Sequence, residues 1–140
     1  MKEREKIYQK YDGHCAYCGK EIKFKDMQVD HYHPKHLTGW IRSPKMVDLY
    51  KLPTEINDIS NMMPSCRRCN HYKRGHTIKG FRMLMTSLHE RIAKIYINKV
   101  AIDYGIITIN PFNGQFYFEY IEEMEQKYLS PQKNHEIKCK

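Results

Sequence analysis

The sequence contains no long apolar run, and none of its stretches approaches the roughly 18 consecutive apolar residues that a membrane-spanning helix requires. Its first residues, Met-Lys-Glu-Arg-Glu-Lys-Ile, are highly charged and lack the apolar centre of a secretory signal. We also find no internal repeat and no low-complexity linker. A chain of 140 residues can bury a core but is short for two independent domains. We therefore expect a single soluble, cytoplasmic domain over residues 1–140.

Acidic residues are missing from the segment between Asn61 and Arg82, while basic residues are concentrated there. Over the whole sequence, 24 lysines and arginines stand against 16 aspartates and glutamates, which gives a formal net charge of +8. Such a balance indicates an anionic partner, and a basic segment around a cysteine pair indicates nucleic acid. The basic residues of this segment are Arg67, Arg68, Lys73, Arg74, Lys79 and Arg82.

Cysteine is scarce, but four of the five cysteines form two Cys-x2-Cys pairs. Without a secretory signal, paired thiolates indicate metal ligands rather than disulfides. A structural zinc ion takes four soft ligands in a tetrahedron, and each Cys-x2-Cys turn presents two of them. The fifth cysteine, Cys139, is predicted to be a free thiol without a role. We therefore predict one structural zinc ion, held by a first pair, Cys15 and Cys18, and a second pair, Cys66 and Cys69.

Residues suited to phosphodiester hydrolysis lie between and just after the two cysteine pairs. Asp30 and His31 follow the first pair, Asn61 precedes the second, and Asn70 and Lys73 follow it. This hydrolysis needs a base to activate water and a divalent ion to neutralise the phosphate. An imidazole can take the proton because it ordinarily titrates near neutral pH. A carboxylate and an amide oxygen can hold the ion, since hard cations prefer oxygen ligands.

The order Cys-x2-Cys, Asp-His-x2-Pro, Asn-x4-Cys-x2-Cys-Asn-x2-Lys resembles the HNH endonuclease family over residues 11–75. The resemblance implies a ββα-metal core in which His31 is the general base and Asp30 binds a catalytic Mg²⁺ or Mn²⁺ ion. It further implies that Asn61 orients the histidine and that Asn70 is the second ligand of that ion. The family name implies histidine at this last position. Because His71 follows Asn70, it remains a rival ligand.

Other side chains near this motif are candidates for substrate contacts. A helix after the second cysteine pair is predicted to present Lys73 and Arg74 to phosphate. Arg67 and Arg68 are predicted to contact phosphate as well, with pairing to an acidic neighbour as the alternative. His33 is a further candidate for lining the site or binding substrate. We expect the partner to be nucleic acid, and DNA in particular.

The remaining patterns predict an α+β fold in which the core is followed by a packing helix and a β-hairpin. Residues 2–11 predict a helix, 27–31 a strand and 70–74 a helix, while 34–60 predict a surface insertion. Thr77 is the predicted N-cap of the clearest helix, whose apolar positions recur at intervals of three and four. This stripe consists of Ile78, Phe81, Met85, Leu88, Ile92 and Ile95.

The C-terminal part of the chain completes this prediction. Residues 105–109 and 115–119 flank Asn-Pro-Phe-Asn-Gly, which is typical of a β-hairpin. An acidic helix over residues 120–128 and a flexible tail over 129–140 follow. The packing helix and the hairpin thus form an extension of the core over residues 76–128.

Two other functions fit part of the sequence. A zinc-dependent base deaminase carries His-x-Glu followed by Pro-Cys-x2-Cys. Here the first motif is His31-Tyr-His33, without the glutamate, and the additional cysteine pair would fill the open position of the zinc ion. A non-catalytic zinc-containing DNA-binding module would keep the cysteines and the basic residues, but it would not need Asp30, His31 and Asn70 together. The sequence therefore favours the nuclease, with the binding module as the alternative.

Overall fold

The computed structural model describes residues 1–36, Asp48 and residues 56–129. Most of the predicted insertion at 34–60, Cys139 and nearly all of the predicted tail lie outside these residues. The described part is α+β, and none of its helices is long and apolar enough to cross a membrane. Its elements are α1 (Glu3–Gln9), β1 (Gln28–His31), β2 (Met62–Ser65), α2 (Arg67–Lys73), α3 (Ile78–Thr86), α4 (Leu88–Ala93), α5 (Tyr96–Asp103) and α6 (Tyr117–Leu129).

The two strands form an antiparallel sheet that leads directly into a helix. Asp30 of β1 lies opposite Met63 of β2, and His31 lies opposite Met62. The strand predicted at residues 27–31 is therefore confirmed. No alternation of apolar and polar residues in the sequence predicts β2. One residue separates β2 from α2, and α2 packs against β1. Both β2 and α2 thus pack against β1, whose end carries the predicted catalytic residues.

Aromatic side chains form the centre of the core. The ring of Tyr17 meets Phe81, Phe116 and Phe118 edge to face, with centroid distances of 5.6, 5.8 and 6.2 Å. Phe81 and Phe116 stack at 5.0 Å. All four residues are buried. Burial of such rings contributes most of the apolar area of a small core, so this cluster joins the first cysteine pair to α3 and to the start of α6.

The apolar stripe that predicts one long helix is divided between separate helices. The predicted N-cap is confirmed, since the Thr77 hydroxyl accepts a hydrogen bond from the Gly80 N–H at 3.0 Å. The helix then ends before Ser87, and a second break follows at Ile95, whose backbone is extended. Only the first turns of the stripe reach the core, because Ile95 is 51% exposed. The periodicity therefore predicts correctly that these residues are helical. It is wrong in predicting a single continuous helix.

The predicted C-terminal hairpin is wrong, because the described residues after β2 contain no strand and α6 begins at Tyr117. The backbone N–H of Phe118 donates to the Ala16 carbonyl at 2.8 Å, so this segment pairs with the first cysteine turn. Phe116 and Phe118 are both buried. A spacing of two residues between buried side chains is typical of a strand. Here, however, Phe116 lies just before α6 and Phe118 lies in its first turn.

Candidate metal centre and catalytic site

The four predicted zinc ligands come together in one cluster. Their Sγ atoms all lie within 4.8 Å of one another, and those of Cys18 and Cys66 are 3.9 Å apart. A tetrahedral zinc ion with Zn–S bonds of about 2.3 Å would set the sulfur atoms about 3.8 Å apart. The cluster could therefore hold a metal ion and is compatible with structural zinc. The cluster consists of Cys15, Cys18, Cys66 and Cys69.

The first cysteine pair lies in a tight turn. The N–H of Cys15 donates to the Lys20 carbonyl at 2.8 Å, and the N–H of Gly19 donates to the Cys15 carbonyl at 2.9 Å. Gly19 has a φ of 74°, a region that side chains with a Cβ rarely adopt. A Cβ at this position would also lie 2.8 Å from the ring of Tyr117. The turn therefore requires glycine directly after Cys18.

The second cysteine pair lies where β2 passes into α2. Cys66 is the N-cap residue of α2, and its Sγ accepts from the Cys69 N–H at 3.4 Å. The N–H of Ala16 donates to the Pro64 carbonyl at 2.8 Å, which attaches the first turn to β2. Cys15 and Cys66 are buried, whereas Cys18 is exposed. The cluster thus joins the first cysteine turn to the junction of β2 and α2, which lies 48 residues further along the sequence.

The thiols lie close enough to share protons. Hydrogen bonds with the thiols of Cys15 and Cys69 lower the pKa of Cys18 to about 2. The bond to Cys18 in turn raises the pKa of Cys15 to about 11. Neighbouring thiols therefore stabilise one thiolate, but four thiolates require a cation. Because metal binding to thiols releases protons, the affinity of such a cluster depends on pH.

Asp30, the predicted ligand of a catalytic ion, is buried at the sheet with 7% of its surface exposed. Its Oδ2 accepts a hydrogen bond from the hydroxyl of Tyr17 and lies 2.9 Å from the Nζ of Lys73. No described residue donates to Oδ1. The charge of a buried carboxylate must be compensated, and here an ammonium group and a phenol compensate it.

Lys73 occupies a different environment from the one predicted for a phosphate contact. Its side chain has no exposed surface, and its Nζ donates to the His31 carbonyl at 3.0 Å in addition to meeting Asp30. The ammonium group is therefore held inside the protein by a carboxylate and a backbone carbonyl. This placement removes Lys73 from the predicted phosphate contacts and makes it a bridge between α2 and the end of β1.

His31, the predicted general base, is half-buried at the end of β1. Its Nε2 lies 3.0 Å from the side-chain oxygen of Asn57. As the amide is oriented, Asn57 accepts this hydrogen bond, so Nε2 carries the proton and Nδ1 keeps a lone pair. This tautomer is the one that can accept a proton through Nδ1.

Asn61 is 2% exposed and holds the chain that follows β1. Its Oδ1 accepts from the His33 N–H at 2.8 Å, and its Nδ2 donates to the His33 carbonyl at 3.1 Å and to the Ile56 carbonyl at 2.9 Å. These bonds fix the backbone two residues after His31, while the role of Asn61 in orienting that histidine stays a prediction. Burial and the charge of Lys73 lower the pKa of His33, so this imidazole favours its neutral form.

Asn70 and His71, the rivals for the second ligand, occupy different faces of α2. Asn70 is half-buried, and its side chain forms no hydrogen bond with the described residues. It lies three residues before Lys73, a spacing that puts two side chains on neighbouring positions of one helix face. His71 is exposed and lines a cavity with Arg67 and Lys20. The face that meets β1 is therefore shared by Asn70 and Lys73 rather than by His71.

The predicted basic contacts differ in their exposure. Arg67, Arg68 and Arg74 are exposed, and none of them forms an ion pair with another described residue. The described residues therefore give no acidic partner to Arg67 or Arg68, the alternative considered for them. Arg82, in contrast, binds the carboxylate of Glu119 through two nitrogens. Three arginines around α2 thus remain available to an anionic partner.

Tyr17 and Asn57 are contacts of the candidate site that the sequence did not identify. Tyr17 lies between the cysteines of the first pair, where the ligand pattern draws attention to its neighbours only. Asn57 lies four residues before Asn61, in a segment without periodicity. No local signal distinguishes either residue, because each meets its partner through the tertiary fold.

Comparisons of the chain with protein-family models, with curated proteins and with solved structures gave no match.

Proposed function

We propose that this protein is a metal-dependent endonuclease of the HNH type, which hydrolyses phosphodiester bonds in DNA. The observation that supports the proposal most directly is the arrangement at the end of β1. Asp30 and His31 are consecutive there, Asn61 holds the chain that follows, and the helix that carries Asn70, α2, packs against β1. The four-cysteine cluster fastens the helix and the first turn to this sheet.

His31 acts as the general base in this proposal. Its Nε2 is engaged by Asn57, which leaves Nδ1 to take a proton from an attacking water molecule. The bond to Asn57 also restricts rotation of the ring, as the orienting partner of a catalytic base does. Asn61 contributes indirectly, because it fixes the backbone of His33, two residues after His31.

A catalytic Mg²⁺ or Mn²⁺ ion would be held by Asp30 and Asn70, and when bound it would neutralise charge on the phosphate. The donor set fits a loosely held ion. Asp30 has one oxygen without a donor from the described residues, and the Asn70 amide is also without one. The described part contains no further cluster of three or more carboxylate, imidazole or thiol groups beyond the four cysteines. Mg²⁺ suits such a sparse site, since it ordinarily keeps several waters.

The positions on α2 favour Asn70 over His71 as the second ligand. Asn70 shares the helix face of Lys73, which contacts β1, whereas His71 lines the cavity beside Lys20. Asn70→Ala is therefore expected to abolish metal-dependent cleavage, and His71→Ala to leave it within a few-fold of the parent. The opposite result would transfer the ligand role to His71.

DNA binding is assigned to the exposed arginines around α2. Arg67 and Arg68 lie in the first turn of the helix, and Arg74 lies at its end. Arginine forms paired hydrogen bonds with phosphate oxygens, and phosphate contacts of this kind position a protein on DNA without reading its sequence. Lys73 is omitted because it is buried.

A second candidate function, a non-catalytic zinc-containing DNA-binding module, is favoured by one observation. The ion pair between Lys73 and Asp30 compensates the carboxylate without any metal ion, as a purely structural role would require. This module would keep the cysteine cluster and the exposed arginines. It would bind DNA but would not cleave it.

Incubation of the purified protein with supercoiled plasmid, with and without Mg²⁺ or Mn²⁺, distinguishes the two candidates. We expect nicked or linear products only when the divalent ion is present. His31→Ala should retain zinc and DNA binding but cleave about 10²- to 10⁴-fold more slowly, the usual effect of losing a positioned base. His89→Gln is the matched control, because His89 lies on α4 and contacts Glu90. A parent protein that binds DNA but does not cleave it with either ion would favour the binding module, and equal cleavage by the parent and His31→Ala would rule out His31 as the base.

A further inference from the structure

A buried contact between Tyr17, Asp30 and Lys73 lies beneath the candidate site. The exposed fractions of these residues are 4%, 7% and 0%. Tyr17 and Lys73 both meet the same oxygen of Asp30, its Oδ2, and the Nζ of Lys73 lies 2.9 Å from it. The same Nζ donates to the carbonyl of His31 at 3.0 Å. One ammonium group therefore contacts both residues to which catalysis is assigned.

The two donors come from opposite halves of the cysteine cluster. Tyr17 lies between Cys15 and Cys18, so its backbone belongs to the first metal-binding turn. Lys73 lies four residues after Cys69, one turn further along α2. Two segments that the cluster joins thus converge again on a single carboxylate oxygen. The position of that oxygen is consequently determined by the same structure that brings the cysteines together.

The chemistry of the contact suits orientation of the carboxylate. The hydroxyl of Tyr17 donates to Oδ2 of Asp30, since a carboxylate oxygen can only accept a hydrogen bond. The Tyr17 ring is itself fixed by packing against Phe81 and Phe116. A carboxylate held through one oxygen by two fixed donors cannot rotate freely. Its second oxygen, which accepts from no described residue, then has a defined position.

We infer that Tyr17 and Lys73 are positioning residues, which fix Asp30 through Oδ2 and leave Oδ1 as the oxygen that binds a divalent cation. Lys73 additionally fixes the backbone of His31, so both halves of the cysteine cluster act on Asp30 and the second half acts on His31 as well. This inference rests on the proposed function. It deepens that proposal, because it gives the cysteine cluster a part in arranging the catalytic site as well as in folding.

The test compares two variants with a matched tyrosine control. Tyr17→Phe removes only the hydroxyl and keeps the ring in the core. Tyr8→Phe removes a hydroxyl that donates to the Ile22 carbonyl at 2.8 Å, away from Asp30. Lys73→Met keeps a similar length without the charge. If Lys73→Met fails to fold, because Asp30 loses its cation, Tyr17→Phe decides the outcome.

Two measurements are made on each variant with zinc present. The first is a titration with Mn²⁺, followed by paramagnetic broadening of the imidazole NMR signals of His31 and His33, which are assigned with the His31→Gln and His33→Gln variants. The second is plasmid nicking as a function of Mn²⁺ concentration. Tyr17→Phe should need about tenfold more Mn²⁺ for half-maximal broadening and nicking, the change expected from losing one hydrogen bond to a charged group. Its nicking rate at saturating Mn²⁺ should fall much less, and Tyr8→Phe should match the parent.

Two outcomes overturn the inference. One is a Tyr17→Phe titration that coincides with that of Tyr8→Phe, and the other is a parent protein whose imidazole signals Mn²⁺ does not broaden. If Mn²⁺ broadens the signals but no plasmid is nicked, the proposed nuclease function fails. The broadening titrations then still decide whether Tyr17 and Lys73 position Asp30.

Discussion

Replacement of Asn61 by alanine tests how the candidate site is held together. The substitution removes three hydrogen bonds, two to the backbone of His33 and one to the Ile56 carbonyl, at 2.8, 3.1 and 2.9 Å. Each such bond contributes about 0.5–1.5 kcal/mol, and a buried partner left unpaired costs more. Since Asn61 is only 2% exposed, water cannot easily replace the amide. We expect the free energy of unfolding to fall by about 2–4 kcal/mol, a large part of the stability of a small domain.

The assay is urea denaturation with saturating zinc, and Asn98→Ala is the control. Asn98 is half-buried on α5 and donates one hydrogen bond, to the Ile92 carbonyl at 2.7 Å. Its loss should lower the free energy of unfolding by about 1 kcal/mol or less, because alanine also favours the helix. Asn61→Asp keeps the acceptor for the His33 N–H and should lie between the parent and Asn61→Ala. An Asn61→Ala protein as stable as Asn98→Ala would refute the assignment of Asn61 as the residue that holds this loop.

Three further predictions concern the metal, DNA and protons. Cys66→Ser should lose zinc by elemental analysis and fail to fold by circular dichroism, because structural zinc contributes about 10–16 kcal/mol in small modules; a folded, zinc-free variant would contradict this. Arg74→Ala should weaken binding equally on unrelated DNA sequences and reduce the log–log salt slope by about one unit, whereas altered sequence preference would oppose a phosphate contact. Burial and Lys73 lower the pKa of His33, so the unfolded chain binds more protons. The contribution of His33 to the free energy of unfolding should therefore be fully present above the ordinary histidine pKa of about 6.5 and be lost as the pH drops below it. His33→Gln should show a smaller loss of stability at low pH than the parent. The same pH dependence of the urea midpoint in both proteins would contradict this prediction.

Ligand chemistry made the cysteine cluster predictable from sequence. Each Cys-x2-Cys turn must be short for its two thiolates to reach one ion, so the geometry is recorded in local spacing. The Sγ atoms within 4.8 Å of one another bear out the choice of Cys15, Cys18, Cys66 and Cys69. The helix at α1 and the strand at β1 were predictable for a similar reason, because their patterns span only a few residues.

Elements that depend on distant contacts were not predictable. Residues 115–119 alternate as a strand does, but the Phe116 N–H is bonded to the carboxylate of Glu119 at 2.9 Å, and Arg82 holds this carboxylate from α3. These bonds begin a helix where local pattern predicts a strand. The break at Ser87 is equally invisible in the apolar stripe, since a short turn between helices preserves the spacing of three and four.

Lys73 shows how a motif can identify a residue and leave its role undetermined. Its place after the second cysteine pair predicts a surface position, because lysine is rarely buried without a partner. The partner, Asp30, lies on another element, and only the fold brings its Oδ2 within 2.9 Å of the lysine. No such partner forms an ion pair with the exposed arginines beside it within the described residues, so their contact with phosphate stays a prediction.

The energetics of the Asp30–Lys73 pair bear on the choice between enzyme and binding module. Desolvation of two buried charges largely cancels their attraction, so apolar residues of similar volume often stabilise a fold equally well or better. Stability alone therefore gives little reason for a carboxylate in this core. A carboxylate has a clear use at the end of β1 if one oxygen is fixed by Lys73 and Tyr17 while the other remains for a cation. In that case the ion pair supports the nuclease, because it holds a metal ligand in place beside a base.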